Sequence, residues 1–597
     1  MANFSEFLGV ILKSFGKHPV IIRGDEVITY KEFDERTNQL ARAMLRLGVK
    51  RDENVGLAEF NTPEFMEVTA AAWKIAARSI PLNFRFKEWE LKYIIDDAEM
   101  SAIFFNEELI ERVKNIRPEL KSVRQYVIIG GQKEKGMVNY RDILENELKT
   151  PPQLPWRQLE GEDVVVIMYT GGTTGYPKGV VYRHDQVLSA ALEAMITTMA
   201  EGFEELSRAP RSVFLGLRRM LGLPGLDRFL PWLLAKPATR KAAISVGKNA
   251  GDFILRSPRP ALRLTLGALS LLTGGKVVML HASPLMHAWA YNHAIIGMIG
   301  GFTNVFLTSK SFDVQETLET IGRRKVNILI SVGDGQCRPL VEELDRAKAE
   351  GRQFDLSTLM VVLSSGMALS VDVKRRLLEH VPHLIILDTY ASSEGHYIAM
   401  KPYTSGERDI QKTVFKVTQT TKVLDEEGNE VRPGEIGEIA IFRDHIGSSE
   451  YFKDREKSAK TYRIVGGRPV IFTGDMATVD EQGRIHLLGR GSGCINTGGE
   501  KVFPEEVEEV INKHPLVEIA GVTSVPHERW GEAVTAVVQL REGAKLTGEE
   551  IISWCKDCLA DYKAPKYVLF VEEMPRLITG KVHYREIKKL VMEKIKA

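Results

Sequence analysis

Cysteine is scarce: the 597 residues contain four, Cys337, Cys494, Cys555 and Cys558. That excludes a disulfide-stapled scaffold and fits a reducing compartment. Cys555 and Cys558 form a Cys-x-x-Cys pair, yet no second ligand pair accompanies it. The surrounding Ile551-Ile-Ser-Trp-Cys-Lys-Asp-Cys-Leu559 reads as one face of a helix rather than a zinc or redox site. An excess of one charge sign is also missing, since 80 Lys and Arg face 79 Asp and Glu. This argues against a dedicated nucleic-acid binder. Repeats and low-complexity tracts are absent. The N-terminus lacks the pattern of a signal peptide, because its apolar stretch is broken by Glu6 and Lys13 and no small-residue cleavage site follows. Phe4, Phe7, Leu8, Ile11 and Leu12 instead fall at helical spacing and predict an amphipathic first helix. One charge-free stretch, Val277 to Ser309, is long enough to span a bilayer. It contains His281, Pro284, His287, Asn292, His293 and Asn304, which suit a buried strand-turn-helix core better than lipid.

Apolar residues make up 44% of the chain, enough for large buried cores. From about residue 20 to 200, strand-like runs alternate with helix-like ones. Val27–Tyr30, Val55–Ala58, Ser101–Phe105 and Tyr126–Ile129 read as strands. The stretches from Phe33 and from Glu64 to Ala77 read as helices. Such alternation predicts an α/β architecture with mainly parallel sheets. The last hundred residues read as a separate small α+β unit. It has a helix opened by Pro504, strands around 519–522 and 533–540, and helices over 549–559 and 584–596.

The segment 206–263 stands apart, with twelve cations against two anions and many Leu, Phe and Trp residues. A basic, apolar, helix-leaning segment suits an anionic membrane surface or an acidic partner. The competing reading is a helical hairpin with a solvated basic face.

The strongest chemical signal is Met168-Tyr-Thr-Gly-Gly-Thr-Thr-Gly-Tyr-Pro-Lys-Gly-Val180, which follows the apolar run from Val164. Gly171, Gly172 and Gly175 let backbone amides turn toward an anion. Thr170, Thr173, Thr174 and Lys178 add hydroxyl donors and a positive charge. Together they form a cradle for phosphate oxygens. No Gly-Lys-Ser/Thr ends the loop, so it is not the Walker A pattern.

This loop resembles the phosphate loop of the adenylate-forming superfamily, which includes acyl-CoA synthetases, peptide-synthetase adenylation domains and luciferases. Further segments match in order. Ser283-Pro-Leu-Met-His287 resembles the motif whose aromatic or His residue borders the acyl and thiol pockets. Ser364-Ser-Gly-Met-Ala368 resembles the adenine-binding turn, which places Ser365, Gly366 and Met367 at the base. Leu387-Asp-Thr-Tyr-Ala-Ser-Ser-Glu394 resembles the Tyr-Gly-x-Thr-Glu segment. There Ala391 replaces the usual Gly and Ser393 the usual Thr. The resemblance implies that Asp388, Thr389, Tyr390 and Ser393 meet the nucleotide, with Tyr390 stacked on adenine, and that Glu394 holds Mg²⁺. Phe472-Thr-Gly-Asp475 resembles the ribose motif, with Asp475 on the diol and Leu487 and Arg490 beside it. Arg490 to Glu508 resembles the hinge and first motif of a mobile domain. Ser492 stands at the pivot where Asp or Lys is common, flanked by Gly491 and Gly493 as another source of backbone freedom. Gly498 and Gly499 match positions lining the CoA tunnel. Pro575-Arg-Leu-Ile-Thr-Gly-Lys581 matches the closing motif, whose Lys581 meets the reacting carboxylate.

The resemblance runs from about residue 25 to 590, with 206–263 as the main departure. It implies a large N-terminal domain over 1–489, of mainly parallel and mixed sheets with packed helices. A small mobile α+β lid follows over 490–597. It implies an ATP-dependent, AMP-forming acyl-CoA synthetase, with Lys581, Glu394, His287 and Thr173 as catalytic residues. ATP, Mg²⁺ and coenzyme A are its co-substrates. The glycine-rich segment after Arg490 resembles that of synthetases for medium- or long-chain or bulky acids. Two alternatives stand beside it: a freestanding enzyme loading a carrier protein, and a membrane-associated lipid-binding protein with degenerate activity. The expected setting is cytoplasmic, with peripheral membrane contact through 206–263 and a homo-oligomer left open.

Overall fold

The computed structural model describes residues 4–157, 162–170, 177–184, 209–221, 225, 228, 230–231, 276–367, 369–407, 414–417, 420–442, 450–497, 500–527, 531–559, 561–576 and 582–595. They fall into two compact units. The larger takes the described residues within Met1–Gly171, Tyr176–Thr413 and His445–Ser458; the smaller takes those within Val414–Asp444 and Ala459–Ala597.

The larger unit contains two sheets. In the eight-stranded sheet, Ile385–Ser392, Val361–Ser364, Ile328–Ser331, Val278–His281, Thr303–Phe306 and Pro19–Arg23 run parallel. Antiparallel strands, His396–Tyr403 and Glu26–Thr29, close its two edges. In the seven-stranded sheet, five parallel strands from Val138–Asn139 to Arg78–Pro81 lead to Val164–Thr170. That strand turns back antiparallel into Lys178–Arg183. Helices between strands cover the faces, as parallel sheets require. The helix Tyr30–Arg46 shows how the sequence sets such an element. Thr29 Oγ1 accepts from the Glu32 amide, and the Glu32 carboxylate accepts from the Thr29 amide at 2.8 Å, a capping box. Phe33, Leu40, Ala41 and Met44 then recur on one fully buried face.

The charge-free stretch folds as the sequence predicts, into the strand Val278–His281, the helix Ala288–Ile299 and the strand Thr303–Phe306. Two of its histidines find partners inside. His281 Nε2 lies 2.8 Å from Asn304 Oδ1, and the His293 ring bonds the Trp289 carbonyl at 2.7 Å. Burial holds both imidazoles neutral, with pKa values lowered to about 3 and about 4. No helix among the described residues is long and apolar enough to cross a membrane. The first helix spans Phe4–Ser14, and Ile11, Leu12 and the following Phe15 are fully buried.

Of the basic segment, Arg211–Leu221 forms a helix. It buries Val213 against Ile385, Leu387 and Met400, on the strand that carries the predicted adenine residues and its antiparallel neighbour. Arg211 and Arg218 are exposed. The rest of the segment lies outside the described residues, apart from a few isolated positions.

The smaller unit contains an antiparallel sheet built on Ile436–Phe442, Arg468–Val479 and Arg484–Arg490. A second sheet pairs Val517–His527 with Gly531–Leu540 and adds Tyr567–Val571 in parallel. Helices Pro504–Asn512, Gly548–Cys558 and Tyr584–Ile595 pack with that second sheet, giving the expected α+β unit. The Cys-x-x-Cys pair does lie on a helix, but its members differ: Cys555 is buried and Cys558 exposed. Burial pushes the Cys555 thiol up to about 12.

Candidate active site

The phosphate hairpin is built by register. Thr170 pairs with Lys178 across the antiparallel strands, which sets the two ends of the loop side by side. Gly179 faces Ile167, where an added Cβ would lie 2.6 Å from the isoleucine side chain. Tyr169 donates to the Asp97 carboxylate at 2.5 Å; burial and that bond raise its pKa. The hairpin's strands are thus fixed on both sides of the loop. Gly171, Gly172, Thr173, Thr174 and Gly175 themselves lie outside the described residues.

A third segment joins this hairpin. The Val181 amide donates to the Glu450 carbonyl at 3.0 Å, and the Phe452 amide donates to the Gly179 carbonyl at 2.7 Å. Residues 450–452 therefore extend the sheet beyond Lys178–Arg183. Lys178 Nζ pairs with Asp454 at 2.8 Å. The hydrogen bond from that ammonium raises the Lys178 pKa and lowers that of Asp454. Lys178 keeps 40% of its side chain exposed, so the pair is weak enough to yield to a stronger anion.

The adenine motif ends adjacent parallel strands of the other sheet. Carboxyl ends of parallel strands are where such sheets bind ligands. Gly366 sits at φ +80, a conformation L side chains avoid, so the chain turns sharply after Ser364. The Ser364 hydroxyl accepts from the Gly333 amide at 3.0 Å, tying this turn to its neighbour. Ser365 is buried and precedes the turn; Met367 follows Gly366. In the adjacent strand Thr389 is buried and Tyr390 half-buried. The Asp388 carboxylate lies 2.7 Å from the Nζ of Lys374, whose side chain is wholly buried. Burial lowers the Lys374 pKa, and its ammonium rests 4.4 Å from the Tyr403 ring. The Asp388 carboxylate thus reaches into the helix layer at Lys374, a partner that no motif in the sequence announced.

Beyond Tyr390 the chain turns through Ser393 and Glu394. Tyr182, from the phosphate hairpin, donates its hydroxyl to the Ser393 carbonyl at 2.9 Å. Tyr451 donates its hydroxyl to Glu394 Oε1 at 2.5 Å. The two sheets are joined here, and Thr170, Lys178, Ser393 and Glu394 belong to one constellation. His287 lies at the N-terminus of the helix Ala288–Ile299 and is half-buried. Its loop is held by Asn61, which donates to the Ser283 carbonyl at 2.9 Å and accepts from the Leu285 amide at 2.7 Å. Among the described residues no cluster of three or more His, Cys, Asp or Glu is set to hold a metal alone. The lone carboxylate of Glu394 would suit a hard cation that takes its remaining ligands from phosphate and water.

In the smaller unit Asp475 pairs in register with Arg490 across two antiparallel strands, and Leu487 pairs with Ala477. Gly474 turns at φ +78, and its amide donates to the Glu438 carboxylate at 2.6 Å. Ser492 falls in a single turn, Gly491–Gly493, and neither of those glycines takes a positive φ. Gly489 does, at φ +134, and a Cβ there would meet the Glu505 carboxylate. Gly498, Gly499 and Lys581 lie outside the described residues.

A family model described as AMP-binding enzyme matches residues 11–221 and 262–449. A second, AMP-binding enzyme C-terminal domain, matches 506–581. The chain belongs to the AMP-binding enzyme family. As a member it is an AMP-forming acid–thiol ligase. A Medium/long-chain-fatty-acid--CoA/3-oxocholest-4-en-26-oate--CoA ligase of Mycobacterium tuberculosis is 31% identical, over 95% of this chain and 92% of its own length. A 3-oxocholest-4-en-26-oate--CoA ligase of Rhodococcus rhodochrous is 33% identical, over 94% of this chain and 90% of its own. A crystal structure of an anthranilate CoA ligase with anthranoyl-AMP shares the fold, with a TM-score of 0.75 at 21% identity. It covers 100% of this chain and 98% of its own. The match to this AMP-binding enzyme breaks at 222–261, inside the segment whose composition had already set it apart.

Proposed function

We propose that the enzyme converts a medium- or long-chain, or bulky polycyclic, carboxylic acid to its CoA thioester through an acyl-adenylate. The observation that carries this reading is the meeting of the phosphate hairpin and the Glu394 turn through Tyr182 and Tyr451. The relatives, similar along nearly their whole length, are ligases of fatty and steroid acids. In the first step the carboxylate attacks the α-phosphate and expels pyrophosphate. Both reactants are anions, so positioning and charge neutralisation carry the catalysis. The 170–178 loop and Lys178 hold the β- and γ-phosphates, while Tyr390 stacks on the base. Mg²⁺ bound through Glu394 supplies further charge neutralisation there. Asp475 accepts from the ribose diol. Lys581 bridges the attacking carboxylate and the ribose and phosphate oxygens. In the second step a thiol attacks the acyl-adenylate carbonyl and expels AMP, with Gly498 and Gly499 lining the thiol's path and Ser492 at the pivot of the swinging lid.

A peripheral contact of 206–263 with anionic lipid accompanies this reading. It is supported by that segment's basic, apolar composition and the exposed Arg211 and Arg218. A panel of acids, assayed for pyrophosphate release with and without CoA, tests the function. C8–C18 fatty acids and sterol side-chain acids should drive CoA-dependent turnover that yields one AMP per thioester. Turnover that requires a carrier protein and ignores CoA would move the assignment to carrier loading.

A further inference from the structure

Glu394 and Lys178 come from different sheets, yet one short segment touches both. Tyr451 donates its hydroxyl to the Glu394 carboxylate, and Asp454 pairs with Lys178 three residues later. Tyr451 is 3% exposed and fixed from several sides. Its amide donates to the Ser458 hydroxyl at 2.8 Å, and its backbone bridges to Val180. Lys457 Nζ lies 4.0 Å from the ring centroid. The flanking Glu450 and Phe452 are hydrogen-bonded to the phosphate hairpin. A phenol held this firmly fixes the side-chain angle of a carboxylate that would otherwise swing at a turn. Outer groups that hydrogen-bond a metal-binding carboxylate orient it and tune its affinity.

We propose that Tyr451 is a positioning residue for the metal–triphosphate complex. It locks Glu394 in the orientation from which the carboxylate takes the cation. Its hydrogen bond occupies one carboxylate oxygen and leaves the cation's direction of approach set by the other. The inference rests on Glu394 serving the cation, and the test separates the two.

Mn²⁺ binding to the ATP-loaded full-length protein, without acid, is titrated by EPR. The proteins are the wild type, Tyr451→Phe, Glu394→Gln and the double variant. Phenylalanine keeps the ring and its Lys457 contact, and a thermal midpoint checks each fold. Tyr451→Phe should weaken Mn²⁺ binding on the order of tenfold, and the double variant should bind no worse than Glu394→Gln alone. In steady state, Tyr451→Phe should raise the KM for MgATP more than it lowers kcat. Wild-type Mn²⁺ affinity in Tyr451→Phe, or additive losses in the double variant, would overturn the role of Tyr451 while leaving Glu394 intact. Unchanged binding in Glu394→Gln would overturn the assignment of Glu394 itself, and the proposal with it.

Discussion

Glu508 is a carboxyl group in the wrong solvent. It is buried in the helix Pro504–Asn512, accepting from the Val522 amide at 2.7 Å and the Tyr584 hydroxyl at 2.7 Å. Desolvation outweighs those two bonds and raises its pKa to about 8. The folded state therefore prefers the acid form. Its stabilising contribution is complete below the unfolded value near 4.5 and is lost as pH rises through about 8. Glu508→Gln mimics that acid form. Urea unfolding of the smaller unit at pH 5, 6.5 and 8 should show wild-type stability falling relative to the variant as pH rises. A constant difference across that range would show that Glu508 stays charged. At this scale the sequence announced the residues that carry motifs, such as Lys178, Gly366, Tyr390 and Glu394. It did not announce Tyr451, Asp454 or Lys374. Tyr451 and Asp454 matter through contacts to residues far along the chain, as with the separation of 57 positions between Tyr451 and Glu394, and Lys374 through an ion pair to a neighbouring strand. No local pattern of glycine, hydroxyl or charge marks such a contact.

Elements were more legible than residues, because periodicity is local. The alternation of strands and helices, the strand-turn-helix core over Val278–Phe306 and the helix opened by Pro504 all follow from spacing and caps. The order of strands in a sheet does not, since it depends on which helices cover which face. The strand Ile385–Ser392 illustrates the consequence. It is paired in parallel with Val361–Ser364 on one side and antiparallel with His396–Tyr403 on the other. Lys374, on the helix Val371–His380, binds it from behind through Asp388. Removing one partner of a buried ion pair leaves the other desolvated and unpaired, at a cost of about 3–5 kcal/mol. Lys374→Met should lower the unfolding free energy of the larger unit by about that amount. Lys374→Met combined with Asp388→Asn should recover much of it, and a double variant no more stable than the single would contradict this account. A raised KM for ATP in the single variant would show that the strain reaches Tyr390.

At the scale of the whole molecule, the motifs proposed to serve adenylation are divided between two parts of the chain. The strands of the phosphate hairpin and Glu394 belong to the larger unit, whereas the C-terminal family match ends on Lys581. Motif order made this division readable in the sequence, because each motif is short and keeps its place along the chain. The segment 222–261, left uncovered by the family match, was marked in the sequence only by the change of composition across 206–263. What Lys581 does in each step therefore decides the mechanism. The decisive measurement compares Lys581→Ala with the wild type in acyl-adenylate formation from ATP and acid, and in thioester formation from supplied acyl-adenylate and CoA. Loss of a preorganised charge should slow the first by roughly two to four powers of ten and leave the second within a few-fold of wild type. Equal loss in both half-reactions, or none in either, would contradict it.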